Sequence, residues 1–259
     1  MKAYELIRAI DDIVPRDKAE AWDNPGHQAG DKNWKCEHVL VALDLTDEVV
    51  ERAVDIGADF ILTHHPLIFS PIKAVTADDF ITRRIVVMLS HKINYMAAHT
   101  NHDVVRMGNL AGDMMGLKSM EPLDVTTEID GEPAGLGVVG DIEPMTVSEF
   151  AMEVKNTFDL PAVRIFGETN TRISRVAICP GSGKSAIDCA IEKDADILLT
   201  GDIDHHHGID AVAQGLIIMD AGHAGLEHIF VNDMAAEIAD RFPKLRVTAF
   251  EGENPFITL

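Results

Sequence analysis

Cysteine is scarce in this chain of 259 residues: Cys36, Cys179 and Cys189 are an odd number and form no C-x-x-C pair. A disulfide framework and a thiolate zinc site both need more than this, so reduced thiols in a reducing compartment are expected. Basic residues are short as well, with 22 Lys and Arg against 43 Asp and Glu, a formal charge of −21. Nucleic-acid binding needs clustered Lys and Arg on the phosphates, which removes DNA and RNA from the expected partners. An anionic small molecule stays admissible if bound metal supplies local positive charge. Long apolar runs are missing too. Segments such as 60–62 and 216–219 are strand-sized, far below the ~20 residues of a membrane helix, so no membrane partner is expected. The opening MKAYELIRAIDDIV mixes charged and apolar residues like an amphipathic helix and lacks the apolar core of a signal peptide. The expected location is the cytoplasm.

What the chain does have is the composition of an ordinary globular protein, 46% hydrophobic and 25% charged, long enough for one large domain or two modest ones. Short apolar runs alternate with helical patterns, which signals an α/β protein with mostly parallel strands. A strand, HVLVALD (38–44), leads to the helix TDEVVERAVDIG (46–57), opened by Thr46 and Asp47 and closed by Gly57. The strand ADFILTHH (58–65) follows, and Pro66 stops it. Much later, RVAICPGSGKSAIDCAIEKDADILLTGD (175–202) repeats strand, helix and strand at matching lengths, with AIEKDADILLTGD over AVDIGADFILTHH. Residues 95–99 lead into His99-x3-Asp103 just as 219–223 lead into His223-x3-Glu227. Although βαβ units resemble one another anyway, the polar residues at the strand ends also correspond, which favours duplication. The expected fold is therefore two similar α/β lobes, 1–125 and 126–259, each a mostly parallel sheet flanked by helices. The composition places their boundary near 121–133, and the C-terminal strand is free to return to the first lobe.

Ligands in open α/β sheets collect beyond the carboxyl ends of the strands. Those ends carry His64-His65, His99 with Asp103, Gly201-Asp202, and His223 with Glu227. A lone histidine there is usually a hydrogen-bonded structural residue; four such clusters at equivalent ends point to a metal site between the lobes. Imidazole and carboxylate donors suit Zn, Mn, Fe, Co or Ni. Neighbouring His64 and His65 point to opposite sides of an extended segment and can serve different ions, and a carboxylate such as Glu227 can bridge two. The residues alone leave one or two ions open.

THHPLIF (63–69), AAHTNHD (97–103), GDIDHHHGIDA (201–211) and DAGHAGLE (220–227) resemble the Nif-three-like family, whose members carry the name GTP cyclohydrolase 1 type 2. EAWDNPGHQAG (20–30) resembles that family's Trp-Asp-Asn motif, and the resemblance spans nearly the whole chain, in the short form without the domain that longer members insert. It implies two divalent ions per chain (Zn, Fe, Mn or Ni), one held by His64, Asp103 and Glu227 and the other by His65, His223 and Glu227. His99 and His206 match positions suited to proton transfer or support of the ligands. It further implies a homohexamer and hydrolysis of a small-molecule substrate, a nucleotide among the candidates, GTP being opened at C8 with loss of formate. The alternative is a non-catalytic metal-binding or regulatory interaction factor. Pro25, His27 and Gln28 depart from the usually apolar pattern. His102 and the surplus in His205-His206-His207 add imidazoles, expected as solvent-exposed spares.

Two motifs are discounted. PGSGKS (180–185) lacks the first glycine of a Walker A loop, Ile178 standing in its place, and reads as a glycine-rich turn. Trp22-Asp23-Asn24 reads as a structural turn that caps a helix rather than as catalytic equipment.

Overall fold

The computed structural model describes residues 1–252. The chain forms two compact units: Met1–His102 with Phe230 and the described residues after it, and Asp103–Ile229.

The first unit opens with helix α1 (Ala3–Ile13), whose Leu6, Ile7 and Ile10 are buried and whose Lys2 backbone N–H donates to Glu5 Oε2 at 2.7 Å. Strands β1 (Gly26–Ala29) and β2 (His38–Ala42) precede α2 (Asp47–Asp55). Thr46 caps α2 by accepting the Val49 N–H, with Asp47 and Glu48 at its positive end. Then come β3 (Phe60–Thr63), α3 (Phe80–Ser90), β4 (Asn94–Ala97) and one helical turn, α4 (Thr100–His102).

A π-helical stretch, Asp103–Met107, begins the second unit and runs into α5 (Gly108–Met114). Strands β5 (Lys118–Ile129) and β6 (Glu132–Thr146) form a long hairpin, so the 121–133 stretch lies within sheet. Its two-residue loop, Asp130-Gly131, has both φ angles positive (53° and 85°), the turn that matches strand twist. Helix α6 (Val147–Thr157) starts in a Thr146–Glu149 capping box. Strands β7 (Arg164–Phe166) and β8 (Arg172–Ser182), α7 (Ala186–Glu192), β9 (Ile197–Gly201), α8 (His205–Ala213), β10 (Ile217–Asp220) and α9 (His223–Glu227) complete the unit. The chain then returns to the first unit with α10 (Ile229–Arg241), tied to α1 by Arg241 Nη1 donating to the Ala9 carbonyl, and with β11 (Arg246–Phe250).

The first sheet has the order β1-β4-β3-β2-β11, parallel except at β1. Every residue of β2, β3 and β4 is buried, as expected of parallel strands covered on both faces. The second sheet, β5-β6-β8-β9-β10-β7, keeps a parallel centre (β8-β9-β10) and adds antiparallel strands on either side.

The duplicated phrase folds the same way twice. Asp59 accepts the backbone N–H groups of Glu37 and His38, and Asp196 those of Ser174 and Arg175. The Ala58 N–H donates to the Ala53 carbonyl as that of Ala195 does to Ala190, and the left-handed position is Gly57 in one repeat and Asp194 in the other. Both repeats tie their last two strands at the carboxyl end: Ala98 N–H to the Thr63 carbonyl at 2.9 Å, Ala221 N–H to that of Thr200 at 2.8 Å. Ligand-type residues follow directly.

Candidate metal centre

In the first unit His64 and His65 follow β3 and His99 follows β4, which brings one ring nitrogen of each within 4.8 Å of the others. His64 is fully buried and His65 and His99 are partly so. The His64 Nδ1 faces the Ala98 carbonyl at 2.9 Å. A carbonyl oxygen can only accept, so Nδ1 carries the proton and Nε2 is left with the lone pair. His65 and His99 are set the same way, Nδ1 lying 2.8 Å from Asp44 Oδ1 and 2.8 Å from Asp23 Oδ1.

The second unit repeats the arrangement with different parts. His223, in the first turn of α9, places Nδ1 2.8 Å from Asp202 Oδ2. Asp202 occupies the position of His65 in the repeat and takes a left-handed φ of 57°, so one ligand-type position has become an orienting acid. The His223 Nε2 lies 3.0 Å from Oε2 of Glu227, one helical turn on and 3% exposed. With Nδ1–H committed to Asp202, a neutral His223 presents a lone pair to a buried carboxylate. Either a second proton or a cation between them relieves that contact. Asp103 begins the same unit, partly buried. Burial, followed by the nearby charges of Asp103 and Glu227, pushes the Cys179 thiol up to about 12.

Gly181 is what lets β8 approach Glu227: its φ is +80°, and a Cβ there would stand 2.4 Å from Glu227 Oε1. A Cβ on Gly183 would meet the Thr200 side chain at 1.8 Å, and Lys184 pairs with Asp204 at 3.0 Å. The PGSGKS segment is thus a packing turn whose lysine has an intramolecular partner. Hydrogen bonds from the His207 ring and backbone, then from Lys184, hold the Asp204 carboxyl well below the usual range while it caps α8. His206 is exposed in the first turn of α8, beside His205 at 5.3 Å between ring centroids.

Two features of the first unit lay beyond local pattern. Asp23, read as a structural turn, does cap the Thr100–His102 turn, accepting Thr100 N–H at 3.0 Å and its hydroxyl at 2.6 Å. It also orients His99 from 76 residues away. Burial opposes the Asp23 charge, yet the hydrogen bonds from His99 and Thr100 prevail and lower its carboxyl to about 2. His102, expected as an exposed spare, is instead 0% accessible. Its Nε2 lies 3.0 Å from Asp233 Oδ2, and its ring stands edge-on to Phe230 at 4.8 Å. Only the return of α10 from far along the chain supplies those partners.

An α/β protein whose strand ends carry histidine and carboxylate groups able to hold a metal ion is the class these observations define. The model of the Duf34/NIF3 family (NGG1p interacting factor 3) matches residues 1–255, and the chain belongs to that family. It is 33% identical to a GTP cyclohydrolase 1 type 2 homolog of Clostridium perfringens over 99% of both chains. It is 36% identical to a Streptococcus pneumoniae protein of the same name, over 91% of this chain and 89% of the other. A crystal structure of a Bacillus cereus protein related to NIF3 superposes with a TM-score of 0.94 at 25% identity, covering 100% of this chain and 99% of that one.

Proposed function

We propose that this protein is a dinuclear metal-dependent hydrolase of a nucleotide or another small phosphorylated substrate, related in activity to the GTP cyclohydrolase 1 type 2 for which its relatives are named. One ion is held by His64, Asp103 and Glu227, the other by His65, His223 and Glu227. The observation that supports this most is the shared setting of His64, His65 and His223: a carbonyl or a carboxylate takes each Nδ1, which turns each Nε2 into the candidate ligand atom. Metal-binding imidazoles are oriented in this way, and their outer partners raise ligand basicity. Bound divalent ions supply Lewis acidity to a substrate oxygen and to water. Asp23 steers His99 for proton transfer, and His206, on the exposed turn of α8, is the second proton carrier.

The test is metal content per chain by elemental mass spectrometry, on untagged protein purified without chelators, beside Glu227→Ala. Close to two transition-metal ions per chain, falling sharply in the variant, is the expected result. No bound metal after reloading with Zn, Mn and Fe sinks the proposal. A second reading, a metal-binding interaction factor without turnover, draws on the name the family carries. Full metal loading with no turnover across a nucleotide and phosphoester panel selects it. Assembly as a homohexamer belongs to the proposal as well, and a stable monomer by light scattering removes that part. No helix among the described residues is long and apolar enough to cross a membrane.

A further inference from the structure

No large apolar side chain among the described residues is more exposed than Trp22, at 59%, and Phe69 stands at 53%. The two rings meet with centroids 5.9 Å apart and planes inclined at 49°. Trp22 also lies edge-on to His99, at 6.0 Å and 76°. His99 is in turn 5.1 Å from His64 and 5.4 Å from His65, so contiguous rings lead from solvent to the histidine cluster.

The mounting of these two aromatics is stiff. Asn24 Nδ2 and Gln28 Nε2 donate to the Ile68 carbonyl at 2.6 and 3.1 Å, and the Ile68 N–H donates to Gln28 Oε1 at 2.9 Å. The Leu67 N–H donates to the Tyr95 hydroxyl at 2.8 Å. Phe69 therefore sits at the end of a pinned segment, while Trp22 adjoins Asp23, which is locked to His99 and Thr100. Exposed aromatic surface is unfavourable in water, and a polar network that holds it in place gives it no covering. What such a surface accepts at low entropic cost is the face of another flat ring, because stacking matches the ring quadrupoles and tolerates any base.

We propose that Trp22 and Phe69 form a stacking platform for a planar heteroaromatic ring, which presents the reacting part of the substrate to the histidines. This rests on the metal-centre reading and deepens it by naming the substrate class: molecules bearing a planar heteroaromatic ring, as opposed to aliphatic phosphoesters.

Trp22 and Trp34 are the only two tryptophans, so Trp34→Phe isolates the Trp22 emission. The metal-loaded full chain is titrated with guanosine, adenosine, GMP and ribose 5-phosphate. The ring-bearing probes are expected to quench Trp22 saturably, and ribose 5-phosphate is not. By calorimetry, Trp22→Ala weakens GMP binding about tenfold while Trp22→Phe retains most of it, the range that one stacked base contributes. Metal content is expected to be the same in both variants. Equal losses for GMP and ribose 5-phosphate in Trp22→Ala overturn the proposal, as does the absence of quenching up to millimolar nucleoside. A change of mass in solution in Trp22→Ala or Phe69→Ala, with GMP binding intact, reassigns the pair to a protein interface and overturns it too. Failure of the metal reading shows independently, as unloaded wild-type protein, and nucleoside quenching still tests the platform there.

Discussion

Substituting Gly181 by alanine separates what backbone strain does from what crowding Glu227 does. At φ +80° an L-residue is disfavoured by about 1–2 kcal/mol, a cost that any side chain brings. The added Cβ would also stand 2.4 Å from Glu227 Oε1, about 1 Å inside normal carbon–oxygen contact, so the carboxylate has to move. Glu227 is only 3% exposed and cannot simply swing into water. Gly215 provides the control: its φ is +94°, and nothing lies within 4 Å of a Cβ built there. Gly215→Ala should therefore lose about 1–2 kcal/mol, roughly 2–8 °C in Tm for a chain of this size, and Gly181→Ala at least that much, measured with chelator present. Only Gly181→Ala should also lose metal affinity, by about 10- to 100-fold in a chelator competition, because it displaces a ligand without removing it. Equal metal affinity in the two variants would refute the assignment of Glu227 as a ligand whose place is kept open by Gly181.

Three further outcomes follow from buried groups. Burial, then the charge of Arg246, lowers the pKa of His38 below 6.5, so the folded state resists the proton more than the unfolded chain does. The stability held by His38 is complete above pH 6.5 and declines as pH falls through the lowered value; His38→Gln should flatten the urea-melt stability between pH 7 and 5. Cys36 and Cys179, both pushed up to about 12, should be silent to a thiol reagent at pH 8 in the native protein, with half-buried Cys189, itself raised by burial, the one slowly modified and three thiols appearing in denaturant. Two fast native thiols would contradict this. His102→Leu takes a ring from the side chain of Asp233, itself 8% exposed, and should destabilise by about 3 kcal/mol, with His102→Leu/Asp233→Leu recovering part of that loss in a double-mutant cycle.

Local pattern made much of the fold legible. Apolar period and capping residues marked α1, α2 and the strands around them within a residue or two, because Thr46, Gly57 and Pro66 act on their immediate neighbours. The repeated phrase was readable for the same reason: it is one local solution written twice. Residues 121–133 looked like a boundary because acids, Thr, Gly and Pro suit exposed strands and a tight Asp-Gly turn as well as they suit a linker. What orients the histidines was invisible. Asp23 reaches His99 across 76 residues and Asp233 reaches His102 across 131, and no spacing rule encodes pairs that only tertiary folding creates.

Among the described residues the second unit is one continuous stretch, Asp103–Ile229, whereas the first is in two pieces, and β11 pairs with β2 from 208 positions further on (His38 opposite Arg246). A ribosome making this chain N-terminus first therefore finishes the described part of the inner unit while the outer one still lacks an edge strand and the Asp233 partner of His102. Until α10 and β11 emerge, β2 is an open edge on a nascent chain, the kind of edge that recruits other strands. Asp103 opens the inner stretch and Glu227 lies two residues before its end, so both acidic ligand candidates sit at the splice points.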